Sequence, residues 1–329
     1  MEQQGLSPEF WNTFVKEYWN KKPVVFKGVL PKDLLTDEDV LEALGNYANA
    51  ALRDELDSLR PKRPGGFARL YVEGRQIGPM EIGKFMPRGA NVPEYIKEVG
   101  GSFGGSRVGV ILNDVELFSE RVGAVNRQLV VPIIERVGIP SRNVEATIFA
   151  GDYDVTPFGI HKDDHADVMT LVIAGRKRML VWPEEYFDQH PERMEQLTLR
   201  EDAIELFSKD ATVLDASPGD LMYWPGSAYH VATSMGGVVA TCGLGFWHKT
   251  ALSEVMSEFV SEFLSAKLGA RNKVIKTWQP DVELPSELDA ATQELRALLD
   301  SGEFREALRK DWKQRVDRLG FLACRKSKD

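Results

Sequence analysis

Two histidine-x-acid triplets stand close together in the segment PFGIHKDDHADV, which covers residues 157–168. They are HKD at residues 161–163 and HAD at residues 165–167. In a strand, residues two apart point to the same face, so either triplet could offer an imidazole and a carboxylate to one metal ion. One such triplet is common by chance in a chain with 5 histidines and 50 acidic residues, and HPE at 190–192 is another. The spacing alone therefore leaves open which triplet, if either, binds a metal.

A third metal ligand is available in SPGDLMYWPGSAYHVATS, at residues 217–234. A Pro-Gly-Asp turn leads into an aromatic strand, and a Pro-Gly turn then places His230 at the start of the next strand. With one histidine and one acid of a triplet, His230 makes a set of two imidazoles and one carboxylate. This set leaves three positions open on an ion and is typical of non-haem Fe(II) sites that activate oxygen. Zinc more often has a closed tetrahedron or a third nitrogen ligand.

The region that must position these residues is predicted to be an antiparallel barrel or sandwich. From Asn143 to about His248, short β-type runs follow one another with turn-forming residues between them. Strands at this density, mostly without helical periodicity between them, are typical of such folds. The runs are VEATIFA, VMTLVIA, RMLVW, ATVLDA, LMYW and VVATCGLGF.

The chain before this region mixes helices with irregular connections. Ser7 and Pro8 predict a helix start, and a second helix follows Thr36. Glycine and proline are dense between about residues 60 and 106, so we predict a loop-rich connection there with one strand at ARLYVEG. RVGVILND is predicted as a buried strand, and an amphipathic helix follows it and is closed by Gly138.

Composition limits the partners that the chain can have. The 50 acidic and 41 basic residues leave a net charge of -9, which argues against broad binding to nucleic acid. Cys242 and Cys324 are the only cysteines, a usage that suits a reducing compartment. The N-terminus lacks the pattern of a secretory signal, and no run of about eighteen apolar residues predicts a transmembrane helix. We therefore expect a cytoplasmic protein without a membrane or nucleic-acid partner.

The chain resembles the JmjC and cupin-like 2-oxoglutarate oxygenases, including the bacterial protein and peptide hydroxylases. The resemblance runs from about Phe10 to Lys249, and the order and spacing of its pieces make it specific. The pieces are FVKEYWNKKPVVFKG, the triplet at 161–163, GRKRMLVW from Gly175, PGDLMYWPGSAYH ending at His230, and GFWHK. The resemblance implies an α+β fold whose core is a double-stranded β-helix, the jelly roll of cupins.

This fold implies two regions of the chain. Residues 1–249 would form the JmjC-like catalytic domain together with N-terminal helical elements. After Thr250 the pattern returns to amphipathic helices, two of which are separated by Gly302. Residues 250–329 would therefore be a C-terminal helical region that serves for packing or for a homodimer.

The resemblance also assigns roles to individual residues. His161, Asp163 and His230 would be the catalytic metal ligands, with Fe(II) as the metal. Lys177 would bind the distal carboxylate of the cosubstrate 2-oxoglutarate. A fixed cation facing a dicarboxylate gives a charge-assisted pair, and the keto acid would occupy two of the open metal positions.

Spacing relative to the family's Gly-x-Lys motif selects one of the two triplets. Family members usually place this motif one residue closer to the metal histidine than it lies from His161. Measured from His165, the motif would be about three residues too near. The choice of His161 implies a one-residue bulge or a longer turn between Asp163 and Val168.

Strand alternation predicts that Lys177 faces opposite to both of its neighbours, Arg176 and Arg178. At Gly245, some relatives with a similar strand carry an amide that touches the cosubstrate, so the secondary contacts differ in this chain. The candidates for those contacts are Arg176, Thr241 and Ser234.

The resemblance implies a dioxygenase that hydroxylates a carbon of a peptide, protein or amino-acid-derived substrate and converts 2-oxoglutarate to succinate. Demethylation would begin from the same hydrogen abstraction, but the sequence shows no module that reads methyl-lysine. Two alternatives keep the same scaffold. One is a cupin metalloenzyme that does not use 2-oxoglutarate, such as an isomerase or cofactor-free dioxygenase, and the other is a non-catalytic binding protein. Lys177 discriminates between the oxygenase and the cupin metalloenzyme, because only the oxygenase needs its charge for 2-oxoglutarate.

Overall fold

The protein folds into two compact units, and the boundary between them lies between residues 248 and 249. In the computed structural model, none of the described helices is long and apolar enough to cross a membrane. The described residues are 6–56, 66–77, 82–140, 144–163, 166–189, 201–247, 252–267 and 286–317.

Two antiparallel sheets form the core of the first unit. The larger has the strand order β1-β9-β6-β11-β5-β4-β2-β3 and the smaller the order β10-β7-β8. The strands are β1 (Val24–Phe26), β2 (Ala68–Val72), β3 (Arg75–Gln76), β4 (Val108–Leu112), β5 (Glu145–Gly151), β6 (Ala166–Ala174), β7 (Lys177–Trp182), β8 (Thr212–Ala216), β9 (Leu221–Trp224), β10 (Tyr229–Ser234) and β11 (Val239–Trp247). From β8 to β11 the chain crosses between the sheets at each step, since β8 and β10 lie in the smaller sheet and β9 and β11 in the larger. Such crossing between two antiparallel sheets is typical of a jelly roll, so the predicted α+β fold with a double-stranded β-helix core is confirmed.

Six α-helices of the described chain precede the strands or stand between them in the first unit, and three belong to the second unit. They are α1 (Pro8–Glu17), α2 (Asp37–Leu52), α3 (Val92–Gly101), α4 (Glu120–Val137), α5 (Glu185–Asp188), α6 (Glu201–Ser208), α7 (Leu252–Lys267), α8 (Ser286–Asp300) and α9 (Gly302–Asp317). The predicted start of α1 is confirmed, because the Ser7 hydroxyl accepts a hydrogen bond from the Phe10 amide at 3.2 Å. Gly138 ends α4 with a φ of 94°, which suits glycine.

The loop-rich connection predicted between residues 60 and 106 is wrong in one part, because α3 lies there. Its N-cap Asn91 accepts a hydrogen bond from the Glu94 amide at 2.9 Å, and Pro93 stands in the first turn. Tyr95 is buried on its inner face. The helix start was present in the sequence as Asn-Val-Pro-Glu, but the glycines and prolines around it suggested irregular chain.

The small sheet is covered on both faces, which fixes the direction of each side chain on β7. Leu180 and Trp182 pack on the outer face with residues of α5 and α6. Met179 and Val181 pack between the two sheets. Because residues two apart share a face, Lys177 must also point inward.

One buried carboxylate ties three parts of the first unit together. Asp167 on β6 accepts a hydrogen bond from the Tyr223 hydroxyl at 3.0 Å and another from the Gly226 amide at 2.8 Å. The Tyr223 oxygen in turn accepts from the Asn20 amide at 2.8 Å. Burial, helped by the charge on Asp167, raises the pKa of the Tyr223 phenol, which therefore stays protonated and able to donate. Asp167 thus fixes the turn that leads into β10.

We expect Asp167→Ala to lower the free energy of unfolding by roughly 2–4 kcal/mol, because two buried donors lose their acceptor. Urea denaturation of the purified protein measures this loss. Asp188→Ala, at an exposed position, is the matched control and should change stability by less than about 0.5 kcal/mol. Equal stability of the two variants would contradict the structural role of Asp167.

Candidate functional site

Two histidines from distant parts of the chain are joined through their backbones. The His161 amide donates to the His230 carbonyl at 3.1 Å, and the His230 amide donates to the His161 carbonyl at 2.8 Å. The two residues form an isolated antiparallel bridge, in which directly opposed side chains lie on the same side. The centroids of the two imidazoles are 4.4 Å apart. Backbone pairing therefore sets the two rings side by side.

Both imidazoles are held in the tautomer that a metal ligand needs. Nδ1 of His161 lies 2.9 Å from the Gly159 carbonyl oxygen, and Nδ1 of His230 lies 3.1 Å from that of Ala228. A carbonyl can only accept, so each Nδ1 carries the proton and each Nε2 keeps its lone pair. This is the usual support for metal-binding histidines.

The carboxylate of Asp163 meets both free nitrogens. Its oxygens lie 3.9 Å from Nε2 of His161 and 3.4 Å from Nε2 of His230. The three donor atoms lie within 4.8 Å of one another. Ligand atoms about 2.1 Å from one ion and at right angles to each other lie roughly 3 Å apart, so the set fits a single divalent ion after a small adjustment. His161 and Asp163 keep about a third of their side chains exposed, which leaves one side of the set open.

His230 is the enclosed member of this triad, defined as His161, Asp163 and His230. Burial lowers the pKa of His230 to about 4, and the neighbouring His161 adds to this effect. Asp163 and the Ala228 carbonyl act in the opposite direction and do not overcome burial. His230 is therefore a neutral imidazole at neutral pH and needs no proton removed before it binds a metal.

The second histidine-x-acid triplet does not join the triad in the described chain. Ala166 and Val168 line the cavity beside the triad, whereas Asp167 points to the opposite face of β6 and bonds Tyr223. Residues 164–165, which include the histidine of that triplet, lie outside the described residues. The bulge predicted between Asp163 and Val168 falls largely on the same two residues and stays a prediction.

The triad opens into a cavity of about 350 Å³ between the two sheets. Its walls combine aromatic and aliphatic surface with a few charged and hydroxyl groups. Besides the triad, they include Arg69, Asn113, Glu145, Thr147, Phe149, Phe158, Thr170, Lys177, Met179, Trp224, Thr241 and Trp247. A mostly apolar cleft with convergent polar groups is the usual form of a small-molecule site.

Lys177 places a buried positive charge in this cavity. It is only 3% exposed, and its Nζ donates to the Tyr153 hydroxyl at 2.8 Å. Within the described part of the chain, no carboxylate lies at ion-pair distance from it. Arg178, the next residue, points away and forms a bidentate pair with Asp215 at 2.7 and 2.8 Å. The predicted alternation therefore holds, and the cavity contains an ammonium group that can bind an anion.

The other predicted cosubstrate contacts have different outcomes. Thr241 is buried on β11 and lines the cavity. Ser234 pairs through its backbone with Lys177, but its side chain lies outside the described part of the structure. Arg176 is exposed in the tight turn after Gly175 and is not among the lining residues. The turn holds Arg176 outside the sheet, so the structure does not support a contact between it and the cosubstrate.

Two glycines leave the floor of the cavity bare. Gly243 and Gly245 stand on β11, the strand between β5 and β6, and neither has a positive φ. A Cβ on Gly243 would have the Thr170 hydroxyl oxygen as its nearest neighbour, at 3.5 Å, and a Cβ on Gly245 would lie 4.0 Å from Glu145. The backbone would therefore accept a side chain at either position, and the glycines serve to keep space open.

Trp224, which lines the cavity, has an indole N–H without a partner among the described residues. Trp224 Nε1 is buried and makes no hydrogen bond to any described residue, and its ring lies 5.2 Å from the His230 ring. A buried N–H without an acceptor is costly unless a ligand or water provides one. Its position beside His230 fits a site that binds a polar ligand.

Sequence reasoning missed three residues that shape the cavity: Tyr153, Arg69 and Glu145. Tyr153 stands in an irregular segment with no periodic pattern, so nothing local indicated it. Arg69 and Glu145 each stand among apolar residues of a strand, and a charged residue in such a strand is the signal that could have found them.

Residues 129–252 match the family model of the JmjC domain. A search of curated proteins found no relative with a significant match. A crystal structure of the Escherichia coli ribosomal oxygenase YcfD is similar, with a TM-score of 0.51 and 20% identity over 96% of this chain and 73% of that chain. An X-ray structure of E. coli ycfD gives a TM-score of 0.50 and 20% identity over 92% and 71% of the two chains. At this identity, the likeness establishes the fold.

We expect the full-length protein to bind one Co(II) or Mn(II) ion, and Asp163→Ala to weaken this binding about 100-fold or more, because a donor is lost. Anaerobic titration calorimetry measures the affinity. Asp188→Ala, whose side chain is exposed, should bind the ion as the unmodified protein does. Equal affinity in the Asp163 variant would rule out this carboxylate as a ligand.

The lowered pKa of His230 predicts how the metal-free protein responds to acid. In the unfolded chain, the imidazole of His230 takes up a proton below about pH 6.5, whereas in the folded protein it does so only near pH 4. Stability should therefore fall as the pH drops through this window, by about 2 kcal/mol between pH 7 and pH 5. Urea unfolding at both pH values, compared with His230→Gln, measures this loss. An equal loss in the variant would show that other groups cause it.

Proposed function

We propose that this chain, which carries a JmjC domain at residues 129–252, is an Fe(II)- and 2-oxoglutarate-dependent oxygenase that hydroxylates a carbon of a protein or peptide. The observation that carries the proposal is one cavity that contains both the triad and the buried ammonium of Lys177. The triad provides a metal site with open positions, and the ammonium provides a partner for a carboxylate. A cupin that does not use a carboxylate cosubstrate would have no need of this second feature.

In this proposal, His161, Asp163 and His230 would hold the iron. Two nitrogens and one carboxylate leave three coordination positions open, and bound Fe(II) would supply oxygen activation with 2-oxoglutarate. The Nδ1 bonds to Gly159 and Ala228 keep both rings oriented for this task. Because the rings are also fixed by backbone pairing, the protein would present the same three donors before and after the cosubstrate binds.

Lys177 would orient 2-oxoglutarate through the carboxylate distant from the metal. The Tyr153 hydroxyl accepts a hydrogen bond from the ammonium, and the ammonium lies 5.9 Å from the centre of the Phe149 ring. These contacts restrict a flexible side chain to one direction, which lowers the entropy that is lost on binding. The aromatic wall also excludes water, so the charge-assisted pair is stronger than it would be in solvent.

A protein substrate is supported by the similar fold of YcfD, which is described as a ribosomal oxygenase. The net charge of -9 also favours a protein over a nucleic acid as the molecule bound. Hydroxylation is proposed ahead of demethylation because the sequence shows no pattern of a module that reads methyl-lysine. A cytoplasmic location remains part of the proposal.

The C-terminal helical unit is proposed as a homodimerisation element. Phe259, Phe263 and Phe304 form a small core of its own among α7 and α9. Leu252 and Trp312 remain exposed within this unit and offer apolar surface to a second copy.

We expect Lys177→Met to raise the 2-oxoglutarate concentration needed for half-maximal succinate release by about 30-fold or more, because a charge-assisted pair is lost. Arg176→Met is the matched control, since Arg176 is exposed and outside the cavity, and it should behave as the unmodified enzyme. An unchanged requirement in the Lys177 variant would favour an enzyme that does not use 2-oxoglutarate.

The activity itself is tested by aerobic incubation of the full-length protein with Fe(II), 2-oxoglutarate and candidate peptides. Mass spectrometry should show peptides that gain one oxygen, together with succinate, and Asp163→Ala should abolish both. Metal binding without succinate would support the cupin alternative. A lack of metal binding would support a non-catalytic binding protein.

A further inference from the structure

A second cation lines the cavity and has no acidic partner. Arg69 stands on β2, and its Nε is enclosed and makes no hydrogen bond in the described chain. None of the described carboxylates lies at ion-pair distance from its guanidinium. Arg69 is half-buried, and an arginine at such a position is usually paired, because withdrawing part of its charge from water is costly. Because none of the described residues neutralises this guanidinium, the position favours an anion that a ligand would supply.

Aromatic contacts link this guanidinium to the triad through a ring that Lys177 does not contact among the described residues. Its carbon Cζ lies 5.6 Å from the centre of the Phe158 ring. Phe158 packs edge to face against His161, with ring centroids 5.6 Å apart, and against Phe149 at 6.5 Å. The Lys177 ammonium instead lies 5.2 Å from the centre of the Tyr153 ring and 5.9 Å from that of Phe149. The two cations are thus held on different rings, and Arg69 is one ring away from a triad histidine.

The charges in the loaded cavity would balance without Arg69. In the proposed complex, Fe(II) and Lys177 would together carry three positive charges. Asp163 and the 2-oxoglutarate dianion would carry three negative charges, so the sum is zero. Arg69 and Glu145 are the charged lining residues that remain among those described.

Glu145 is too far along the sheet to neutralise Arg69. The register pairs Arg69 with Ile111 and Ile111 with Phe149. Glu145 precedes Phe149 by four residues on β5, a separation on the order of 13 Å along the strand. Arg69 and Glu145 therefore mark two different ends of the cavity.

We propose that Arg69 binds a carboxylate of the substrate, either an acidic side chain close to the oxidised residue or the C-terminus of the chain. This inference rests on the proposed function, since it assigns Arg69 to substrate because Lys177 is assigned to 2-oxoglutarate. The planar guanidinium can donate two parallel hydrogen bonds to a carboxylate, a geometry that selects carboxylates over amides. Arg69 would therefore determine specificity and would not take part in the chemistry.

Peptide selection by the full-length protein tests this inference without knowledge of the natural substrate. Two acetylated hexapeptide libraries are incubated with protein loaded with Co(II) and 2-oxoglutarate, and the retained peptides are sequenced by mass spectrometry. One library is amidated and contains Asp and Glu, so it reports acidic side chains. The other has no acidic residues but a free C-terminus, so it reports the terminal carboxylate.

We expect the unmodified protein to enrich carboxylate-bearing peptides from one library about tenfold or more over their amide counterparts. Arg69→Gln should abolish the preference. Arg69→Lys should keep part of it, because lysine keeps the positive charge but cannot donate the two parallel hydrogen bonds of a guanidinium. Arg75→Gln, on the exposed strand β3, is the matched control and should keep the full preference.

Two results would overturn the inference. One is the absence of any preference for carboxylates in the unmodified protein, a result that needs no variant to fold. The other is an equal preference in Arg69→Gln. If succinate release fails while the Arg69-dependent retention holds, the carboxylate site stands and the oxygenase assignment is wrong. If Arg69→Gln instead weakens binding of 2-oxoglutarate to the Co(II) protein, Arg69 belongs to the cosubstrate site and the inference fails.

Discussion

The pair of backbone hydrogen bonds between His161 and His230 is the constraint on which the rest of the site depends. It continues a short run of pairing, since Val155 bridges Thr233 in the same antiparallel sense. Residues 155–161 therefore run antiparallel to β10 and form an irregular edge of the small sheet. This backbone pairing places the two imidazoles on the same side of the bridge. Asp163 follows His161 by two residues, so its carboxylate comes close to both rings.

The polar groups of the cavity fall into two classes, according to whether the protein satisfies them. Thr147 donates to Asn113 at 3.3 Å, and Asn113 donates to the Phe67 carbonyl at 3.2 Å, so these groups hold the wall together. Lys177, Arg69 and the Trp224 indole have no anionic or carbonyl partner in the described chain. In a low-dielectric interior, groups of the second class are stable when a ligand completes them. Whether the described protein satisfies a polar group thus distinguishes groups that hold the cavity wall together from groups that are available to a ligand. This distinction needs no comparison with a similar protein.

Local patterns predicted those parts of the site that one strand controls. The two-residue period of β7 was enough to turn Lys177 inward and Arg178 outward. The same period could not predict that Asp163 and Asp167 face different ways, because Asp163 lies before β6, which begins at Ala166. Arg69 reaches the cavity only because β2 pairs with β4 and β4 with β5, a tertiary relation that no local pattern contains. The density of short strands predicted an antiparallel barrel or sandwich, and the resemblance to the JmjC and cupin-like oxygenases implied that it is a jelly roll.

The bare floor formed by Gly243 and Gly245 has an evolutionary consequence. At Gly226, an added Cβ would meet the Ala166 carbonyl oxygen at 2.4 Å, so that glycine is fixed by the fold. The two floor glycines carry no such restriction in their backbone or their surroundings. Single substitutions there would resize the chamber while the triad and both sheets stay in place. Descendants of this chain could thus acquire new substrates by small steps, each of which leaves a folded protein for selection to act on.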